Sequence, residues 1–117
     1  LRLVEAEDAK NILGVSVREN LGLRDGFFKN DEESQLKIIE IIRKYQPDVI
    51  LANAPDDRHP DHGRAAQLTY EAYFLSGLRR IETKHNGEVQ KEWRPNSFFH
   101  YVQSKYLTPD FVGVLIN

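Results

Sequence analysis

The run Val49-Ile50-Leu51-Ala52 constrains the fold more than any other part of the chain, because it is apolar at every position. A short run without a polar face is typical of a parallel strand that is covered on both sides. A strongly polar segment follows it and leads into an apolar helical pattern; its residues are Asp57-Arg58-His59-Pro60-Asp61-His62-Gly63-Arg64. Open α/β sheets bind their ligands in loops of this kind, between the end of a strand and the start of a helix. We therefore expect an α/β fold with a ligand site in this loop.

The rest of the sequence supplies the helices and strands that such a fold needs. Apolar periodicity, capping residues and turn residues predict the following segments: helices over residues 1–13, from Asp31 or Ser34 to Tyr45, and from Gly63 onward; strands over residues 15–21, 49–52 and 98–102; a loop or hairpin at 84–87; and a last apolar run at 111–116. The first two strands and the helix between them predict a right-handed βαβ unit. The expected architecture is a three-layer, Rossmann-like α/β fold with a mostly parallel sheet.

The length and composition limit the classes of protein to which the chain can belong. At 117 residues it forms one domain at most. Its formal charge of -2 gives no electrostatic reason to expect a nucleic acid or a membrane as a partner. The absence of cysteine excludes thiolate catalysis and zinc ligation by cysteine in these residues. The sequence contains no apolar run of membrane-spanning length and no signal peptide, so we expect a cytoplasmic protein.

The start of the sequence indicates that residues 1–117 are an internal piece of a longer protein. The chain begins at Leu1 and contains no methionine. Its first residues already follow a helical pattern, and no capping residue stands ahead of them. We therefore expect the fold to be incomplete at its N-terminus in this chain.

Two histidines in the polar loop are candidates for metal binding and proton transfer. His59 and His62 are three positions apart and flank Pro60-Asp61. Proline is favoured in the first turn of a helix, and a helix that begins there would let both imidazoles point into one cleft. Neutral histidine is a common zinc ligand, but a catalytic zinc needs three protein ligands. A capped, polar helix start with two surface histidines explains the same spacing, so the spacing alone leaves both interpretations open.

The segment Arg58-His59-Pro60-Asp61-His62 resembles the second signature of the LmbE-like, or PIG-L, de-N-acetylases, which depend on zinc. The flanking sequences resemble this family as well: Asn20-Leu21, Asp25-Gly26-Phe27, Tyr70-Glu71-Ala72 and Ser76-Gly77-Leu78. Within the family they are most similar to the bacillithiol-biosynthesis branch, which deacetylates N-acetylglucosaminyl-malate. The resemblance implies an LmbE-like deacetylase domain over residues 1–117, although residues 112–117 match less well.

The resemblance implies a role for each residue of the signature. His62 would be a zinc ligand, and His59 would polarise the amide carbonyl, stabilise the oxyanion or protonate the leaving amine. Asp61 would hold one of the two imidazoles in orientation. Arg58 would meet the malate carboxylate, a task that suits the bidentate geometry of a guanidinium. The family's other two zinc ligands and its usual aspartate base belong to an Ala-His-Pro-Asp-Asp type motif, which these residues do not contain.

The resemblance therefore predicts a zinc-dependent hydrolase that removes the acetyl group from an N-acetylglucosamine conjugate. We expect a small-molecule substrate and a homo-oligomer, and we expect the present residues to be inactive when isolated. The alternative is a non-catalytic α/β protein that binds carbohydrate or acts in assembly and keeps the loop without the metal. Asp56 and Asp57 either line the cleft or shape the turn. The remaining candidates are interpreted as structural: His85, His100, Tyr70, Tyr73 and Phe74.

Overall fold

The computed structural model of the protein describes residues 1–102. These residues form the following elements: α1 (Arg2–Leu13), α2 (Glu32–Tyr45), β1 (Val49–Ala52), α3 (Pro60–Ser76), β2 (Lys84–His85), β3 (Glu88–Val89) and β4 (Ser97–His100). All three predicted helices are present, and the hairpin expected at residues 84–87 is formed by β2 and β3. Across residues 1–102, no helix combines the length and the apolar character that a membrane crossing requires. The apolar run at 111–116 lies outside the described residues.

Local sequence signals explain where α2 and α3 begin. The Asp31 side chain accepts a hydrogen bond from the Ser34 backbone N–H at 2.9 Å, so Asp31 is the N-cap of α2. Helix α3 begins at Pro60, three residues before the predicted start at Gly63. Proline suits this position because the first helical residue needs no intrahelical N–H donor.

The parallel sheet that the apolar run predicted is confirmed. β1 and β4 run parallel, with Val49 paired to Ser97 and Ala52 paired to His100. Helix α3 and the antiparallel β2–β3 hairpin lie between them in the chain, so β1, α3 and β4 form a βαβ unit. The three-layer, Rossmann-like arrangement stays a prediction.

The strand predicted over residues 15–21 is wrong, and so is the βαβ unit that placed it before α2. These residues have no regular secondary structure. Val15 and Val17, which suggested the alternating pattern, are each 46% exposed. Two half-exposed side chains bury too little apolar area to hold a strand in place, because strand preference depends on packing against neighbours.

The expectation that β1 is covered on both sides does not hold within residues 1–102. There β1 pairs with β4 alone, and Val49 and Leu51 are exposed. Side chains alternate along a strand, so these two residues share one face while Ala52 lies on the other. Ala52 is buried on the side where α3 contacts the strand.

The core lies between α2 and α3, and a buried arginine joins the two helices. Its apolar side chains are Ile39, Ile42, Ala66, Leu68 and Ala72. Arg43 of α2 is also buried and donates hydrogen bonds to acceptors at and beyond the end of α3: Ser76 O (3.1 Å), Leu78 O (2.9 Å), Ile81 O (2.6 Å) and Thr83 Oγ1 (2.8 Å). The last carbonyls of a helix lack intrahelical partners. Arg43 supplies donors to this region, together with the Trp93 backbone N–H at Ser76 O and the Ile81 backbone N–H at Leu78 O. Packing and this clamp together fix α3, whose N-terminus carries the polar loop.

Candidate active site at the end of strand β1

The polar segment of residues 57–64, here called the histidine loop, joins the region after β1 to the first turn of α3. His59 is the N-cap of α3, and its Nδ1 accepts a hydrogen bond from the Asp61 backbone N–H at 3.2 Å. An Nδ1 that accepts a hydrogen bond carries no proton. The neutral His59 ring therefore has its proton on Nε2, where it can be donated to another group.

His62 has the opposite arrangement of donor and acceptor. Its Nδ1 lies 3.0 Å from Asp57 Oδ1, and the Asp57 side chain is only 1% exposed. The same carboxylate oxygen accepts the His59 backbone N–H at 2.9 Å. A carboxylate can only accept, so the Nδ1 of His62 is the protonated nitrogen. Nε2 of His62 is then left with a free lone pair, which is the form in which histidine binds a metal.

The two imidazoles lie against each other. Their ring centroids are 5.0 Å apart and their planes differ by 28°. One N-terminal turn of helix therefore presents a hydrogen-bond donor, Nε2–H of His59, beside a lone pair, Nε2 of His62. This pair can polarise an acceptor atom and bind a cation at neighbouring points.

Asp61 is buried, and its carboxylate contacts the turn at Gly26. Asp61 Oδ2 accepts the Gly26 backbone N–H at 2.6 Å, and Oδ1 accepts from Arg64 Nη1 at 2.6 Å. The hydrogen bond from Gly26, and to a lesser degree the Arg64 charge, hold the pKa of the Asp61 carboxyl below its ordinary value despite burial. These contacts join the 24–28 turn to the start of α3. Within residues 1–102 the carboxylate that contacts an imidazole is that of Asp57. The orienting role that the resemblance implied for Asp61 stays a prediction.

Arg58 lies in the chain between Asp57 and Asp61, which contact the two imidazoles, and it is exposed. The ion pairs formed within residues 1–102 do not include it. The guanidinium of Arg58 therefore has no ionic partner among the described residues.

Gly63 allows the histidine loop to pack closely on the segment that follows β1. A Cβ at this position would lie 2.9 Å from the Pro55 carbonyl oxygen, closer than real side chains come. Any larger residue would push the first turn of α3 away from Pro55, and His59 and His62 with it. The close approach of the Pro55 carbonyl therefore explains why a glycine stands at position 63.

The histidine loop offers one side-chain atom that fits a zinc ion. Nε2 of His62 is a suitable ligand atom, and Asp57 orients the ring as outer carboxylates commonly do for zinc-bound histidines. Within the part of the chain that the structure describes, no three His, Asp or Glu residues lie together as a metal-binding group. His62 therefore fits as one ligand, and a site with three protein ligands requires two more.

Asp57 is the site residue whose role sequence reasoning did not identify. The sequence left it as either a cleft residue or a turn residue, and the resemblance implied an orienting role for Asp61. The available signal was the position of Pro60. If Pro60 is the first helical residue, Asp57 lies two residues before the N-cap, and its carboxylate can reach the ring of His62 in the first turn.

The fold and the loop together define an α/β protein whose polar site lies where a parallel strand ends and a helix begins. The family model described as PIG-L, GlcNAc-PI de-N-acetylase, matches residues 1–73. The chain belongs to this family. The resemblance seen in the sequence is thereby confirmed at the level of the family, while its assignment to the bacillithiol branch stays a prediction.

Two individual proteins illustrate the relationship. Over 80 residues, which are 66% of this chain, it is 34% identical to the diacetylchitobiose deacetylase of Thermococcus kodakarensis. The crystal structure of the conserved protein TT1542 from Thermus thermophilus superposes with a TM-score of 0.83 at 34% identity, over 94% of this chain. The chain spans 30% of the length of the deacetylase and 48% of the Thermus protein.

Proposed function

We propose that this chain carries part of the active site of a zinc-dependent amide hydrolase, which removes the acetyl group from an N-acetylglucosamine conjugate. Membership of the PIG-L family supports the reaction type. The related protein named diacetylchitobiose deacetylase supports a substrate that bears an acetylated amino sugar. We further propose that residues 1–117 belong to a longer protein, which supplies the two ligands that His62 lacks.

The observation that carries the proposal is the pair of opposite tautomers in the histidine loop. Asp57 keeps the proton of His62 on Nδ1 and leaves Nε2 as a lone pair, so His62 would hold the metal. A bound zinc supplies Lewis acidity and lowers the pKa of a coordinated water. His59 has the complementary form, because its Nδ1 is occupied by the Asp61 backbone N–H.

His59 is assigned to the carbonyl oxygen of the scissile amide. As water adds to the carbonyl carbon, negative charge develops on that oxygen, and Nε2–H of His59 donates a hydrogen bond to it. The attacking water loses a proton to a base, for which the family uses an aspartate that these residues do not contain, and that proton is available to the amine nitrogen when the C–N bond breaks. His59, whose Nδ1 accepts a hydrogen bond, keeps its Nε2 proton and acts as a hydrogen-bond donor in both steps. Asp61 acts by position in this scheme, because its carboxylate holds the helix start and the 24–28 turn together.

For the aglycone we propose malate, on the basis of Arg58. This residue of the histidine loop is exposed and forms no ion pair within residues 1–102. A planar guanidinium binds a carboxylate through two parallel hydrogen bonds. Hydrolysis of the amide itself needs no cation at this position, so the side chain is suited to recognise an anionic group next to the sugar.

Zinc content and turnover of histidine variants of the full-length protein test the proposal. His62→Ala should lose both zinc and activity, because a ligand is removed. His59→Ala should keep zinc and lose turnover by on the order of 10²-fold or more, as expected when an oxyanion donor is removed. His85→Ala is the matched control, since His85 lies in the β2–β3 hairpin and contacts Glu40.

Two outcomes would contradict the proposal. If both variants keep zinc and lose activity equally, the two histidines do not have separate roles. If the full-length protein holds no zinc and hydrolyses no N-acetylglucosamine conjugate, the chain belongs to a binding or assembly protein that kept the loop without the metal.

A further inference from the structure

The β2–β3 hairpin turns at Asn86-Gly87, which is the one Asn-Gly sequence in the chain. β2 ends at His85 and β3 begins at Glu88, so these two residues form the whole loop. Both have positive φ angles, 51° for Asn86 and 81° for Gly87, as the type I′ turn of a two-residue hairpin requires. Both are also exposed. The turn therefore places an asparagine amide and the backbone N–H that follows it at the surface.

Asparagine is a thermolabile residue, because its side-chain amide can react with the backbone N–H of the next residue. The backbone nitrogen attacks Cγ, so an N–Cγ bond forms and the Cγ–Nδ2 bond breaks. Ammonia leaves and carries away the proton of the attacking N–H, and a cyclic succinimide remains. Water then opens this ring at either carbonyl. One opening gives aspartate, and the other gives isoaspartate, in which the backbone runs through the former side chain.

The surroundings of Gly87 leave room for this attack. Glycine has no side chain to shield its nitrogen, and a Cβ placed on Gly87 would meet nothing within 4 Å. Within residues 1–102, no hydrogen bond engages the Gly87 N–H or the Asn86 side chain. The reaction therefore has no native contact of these two groups to displace.

Other asparagines of the chain lack this combination. Asn96 precedes Ser97, whose backbone N–H donates to the Asp48 carbonyl at 3.1 Å and is thus engaged. Asn20 and Asn30 use their side-chain oxygens as acceptors, at 2.9 Å and 3.0 Å. Asn86 combines an exposed amide with a neighbouring N–H that is exposed and unengaged.

We infer that Asn86 is a site of spontaneous deamidation and that its isoaspartate product disrupts the hairpin. The turn must open for the Gly87 nitrogen to reach Cγ, and a hairpin with strands of two residues opens easily. Isoaspartate adds a methylene to the backbone of a loop whose register has room for two ordinary residues. His85 and Glu88 then no longer face each other. This inference does not depend on the histidine loop.

The hairpin is tied to α2, so its disruption reaches the core. His85 Nδ1 lies 3.2 Å from Glu40 Oε1, and Gln90 Nε2 donates to the Glu40 carbonyl at 3.0 Å. The Gln90 backbone N–H also donates to the Thr83 carbonyl at 2.9 Å, and Thr83 Oγ1 accepts from the buried Arg43. Loss of the hairpin therefore removes contacts on both sides of Arg43's acceptor. We expect the isoaspartate form to be less stable than the original protein.

Peptide mapping by mass spectrometry tests the modification in the full-length protein. The protein is incubated while folded at mildly alkaline pH, which helps to remove the proton of the attacking N–H. Peptides that contain Asn86 should convert to aspartate and isoaspartate forms before peptides that contain Asn96. Asn86→Gly keeps a turn with positive φ but has no amide, so this modification should be lost. An intact Asn86 at the end of the incubation overturns the site, as does conversion of Asn96 at an equal or higher rate.

Urea unfolding of fractions enriched in isoaspartate tests the effect on the hairpin. These fractions should unfold at a lower urea concentration than the original protein. Asn86→Asp is the matched control, because it carries the same new charge on an ordinary backbone, and Asp-Gly also fits a type I′ turn. Its urea midpoint should stay close to that of the original protein. Equal midpoints in all three proteins, or an equal loss in Asn86→Asp, would show that the altered backbone does not disrupt the hairpin.

Discussion

At the scale of single residues, the histidine loop assigns different protonation patterns to two identical side chains. A backbone N–H fixes the ring of His59, whereas the charged Asp57 carboxylate fixes the ring of His62. The helix start produces both contacts, because Pro60 at the first helical position sets where the N-cap falls. A residue that shifts the helix start would therefore change the chemistry of both rings without touching either.

Asp57 is the residue on which the metal affinity of His62 should depend most. Asp57→Asn keeps the size of the side chain but replaces the charged acceptor of the His62 Nδ1–H. We expect zinc affinity of the full-length protein to fall 10–100-fold, the usual effect of losing an outer carboxylate. Competition with a chelator measures this change. Asp48→Asn, the same substitution at an exposed position outside the loop, should leave the affinity unchanged; an equal loss in both variants would show that Asp57 has no special role.

Arg58 should control substrate choice without controlling the chemistry. Arg58→Ala should raise KM for N-acetylglucosaminyl-malate much more than KM for neutral N-acetylglucosamine, by roughly 1.5–3 kcal/mol of discrimination. Arg58→Lys should recover only part of it, since an ammonium lacks the planar fork. Steady-state kinetics with the two substrates measure the discrimination. If the alanine variant loses activity on both substrates in equal proportion, Arg58 stiffens the loop and malate is not the aglycone.

The sequence was sufficient to bring Arg58, His59 and His62 into one loop, but it did not distinguish the two neighbouring aspartates. The spacing of the histidines allows a shared cleft if the helix begins near Pro60, and it allows two surface histidines as well. The direction of an aspartate side chain depends on the helix start to within one residue, which is finer than sequence patterns resolve. Asp61 consequently turns toward Gly26, a residue 35 positions away whose position the sequence could not predict.

At the scale of secondary structure elements, α2 holds α3 through Arg43. Arg43→Met keeps much of the apolar stem but removes the donor from the Ile81 carbonyl and the Thr83 hydroxyl, while Ser76 O keeps the Trp93 backbone N–H. We expect the free energy of unfolding to fall by about 2–4 kcal/mol, since each unsatisfied buried polar group costs about 1–3 kcal/mol. Urea unfolding measures the loss. Arg80→Met, at an exposed arginine, is the matched control, and a similar loss there would show that the clamp adds no stability.

The N-cap of α2 should make part of the stability depend on acid. The Ser34 N–H holds the pKa of the Asp31 carboxyl below its ordinary value of about 3.9. A lowered folded pKa contributes stability that is present above the unfolded value and is lost as pH falls through the folded value. Asp31→Asn keeps a capping oxygen that does not titrate. The difference in urea midpoint between the two proteins should therefore shrink as pH falls from about 5, through the unfolded pKa of about 3.9, to the lower folded pKa.

Asp8→Asn is the control for this acid dependence, because Asp8 is exposed in the middle of α1. It should follow the original protein at every pH. A constant difference between Asp31→Asn and the original protein across the same pH range would mean that the cap does not titrate with folding.

The helices were predictable because each carries its own signals, whereas one strand was not. Helix starts are marked by Asp31 and Pro60, and a helix end is marked by Gly14. Each of these signals lies within a few residues of the helix end that it marks. Residues 15–21 carry an alternating pattern of the same local quality, but a strand forms only if another strand lies beside it. That condition concerns the whole fold, so the local pattern gave the wrong result.

At the scale of the whole molecule, the α/β class and the parallel sheet followed from one apolar run. What the run did not reveal was its partner, because β4 follows only after α3 and the β2–β3 hairpin. A cavity lined by Pro55, Gly63, Ala66, Gln67, Tyr70 and His100 depends on that pairing, since His100 ends β4 and stands against Ala52 at the end of β1. The sequence context of His100 indicated a structural residue, and it could not show that the fold brings His100 close to Pro55 and α3.

The pairing of β1 with β4 also sets an order in which the site can form during folding. Val49 and Ser97 are about fifty residues apart, so joining them carries the entropic cost of closing a long loop, while Asp57, His59 and His62 meet within one short segment. As the chain leaves the ribosome, the histidine loop is synthesised well before the strand that carries His100. Amide hydrogen exchange should accordingly show the β4 amides opening at lower free energy than those in the middle of α3. The β1–β4 pairing is then the last contact beside the histidine loop to form as the chain matures, and the first to open when the molecule begins to unfold.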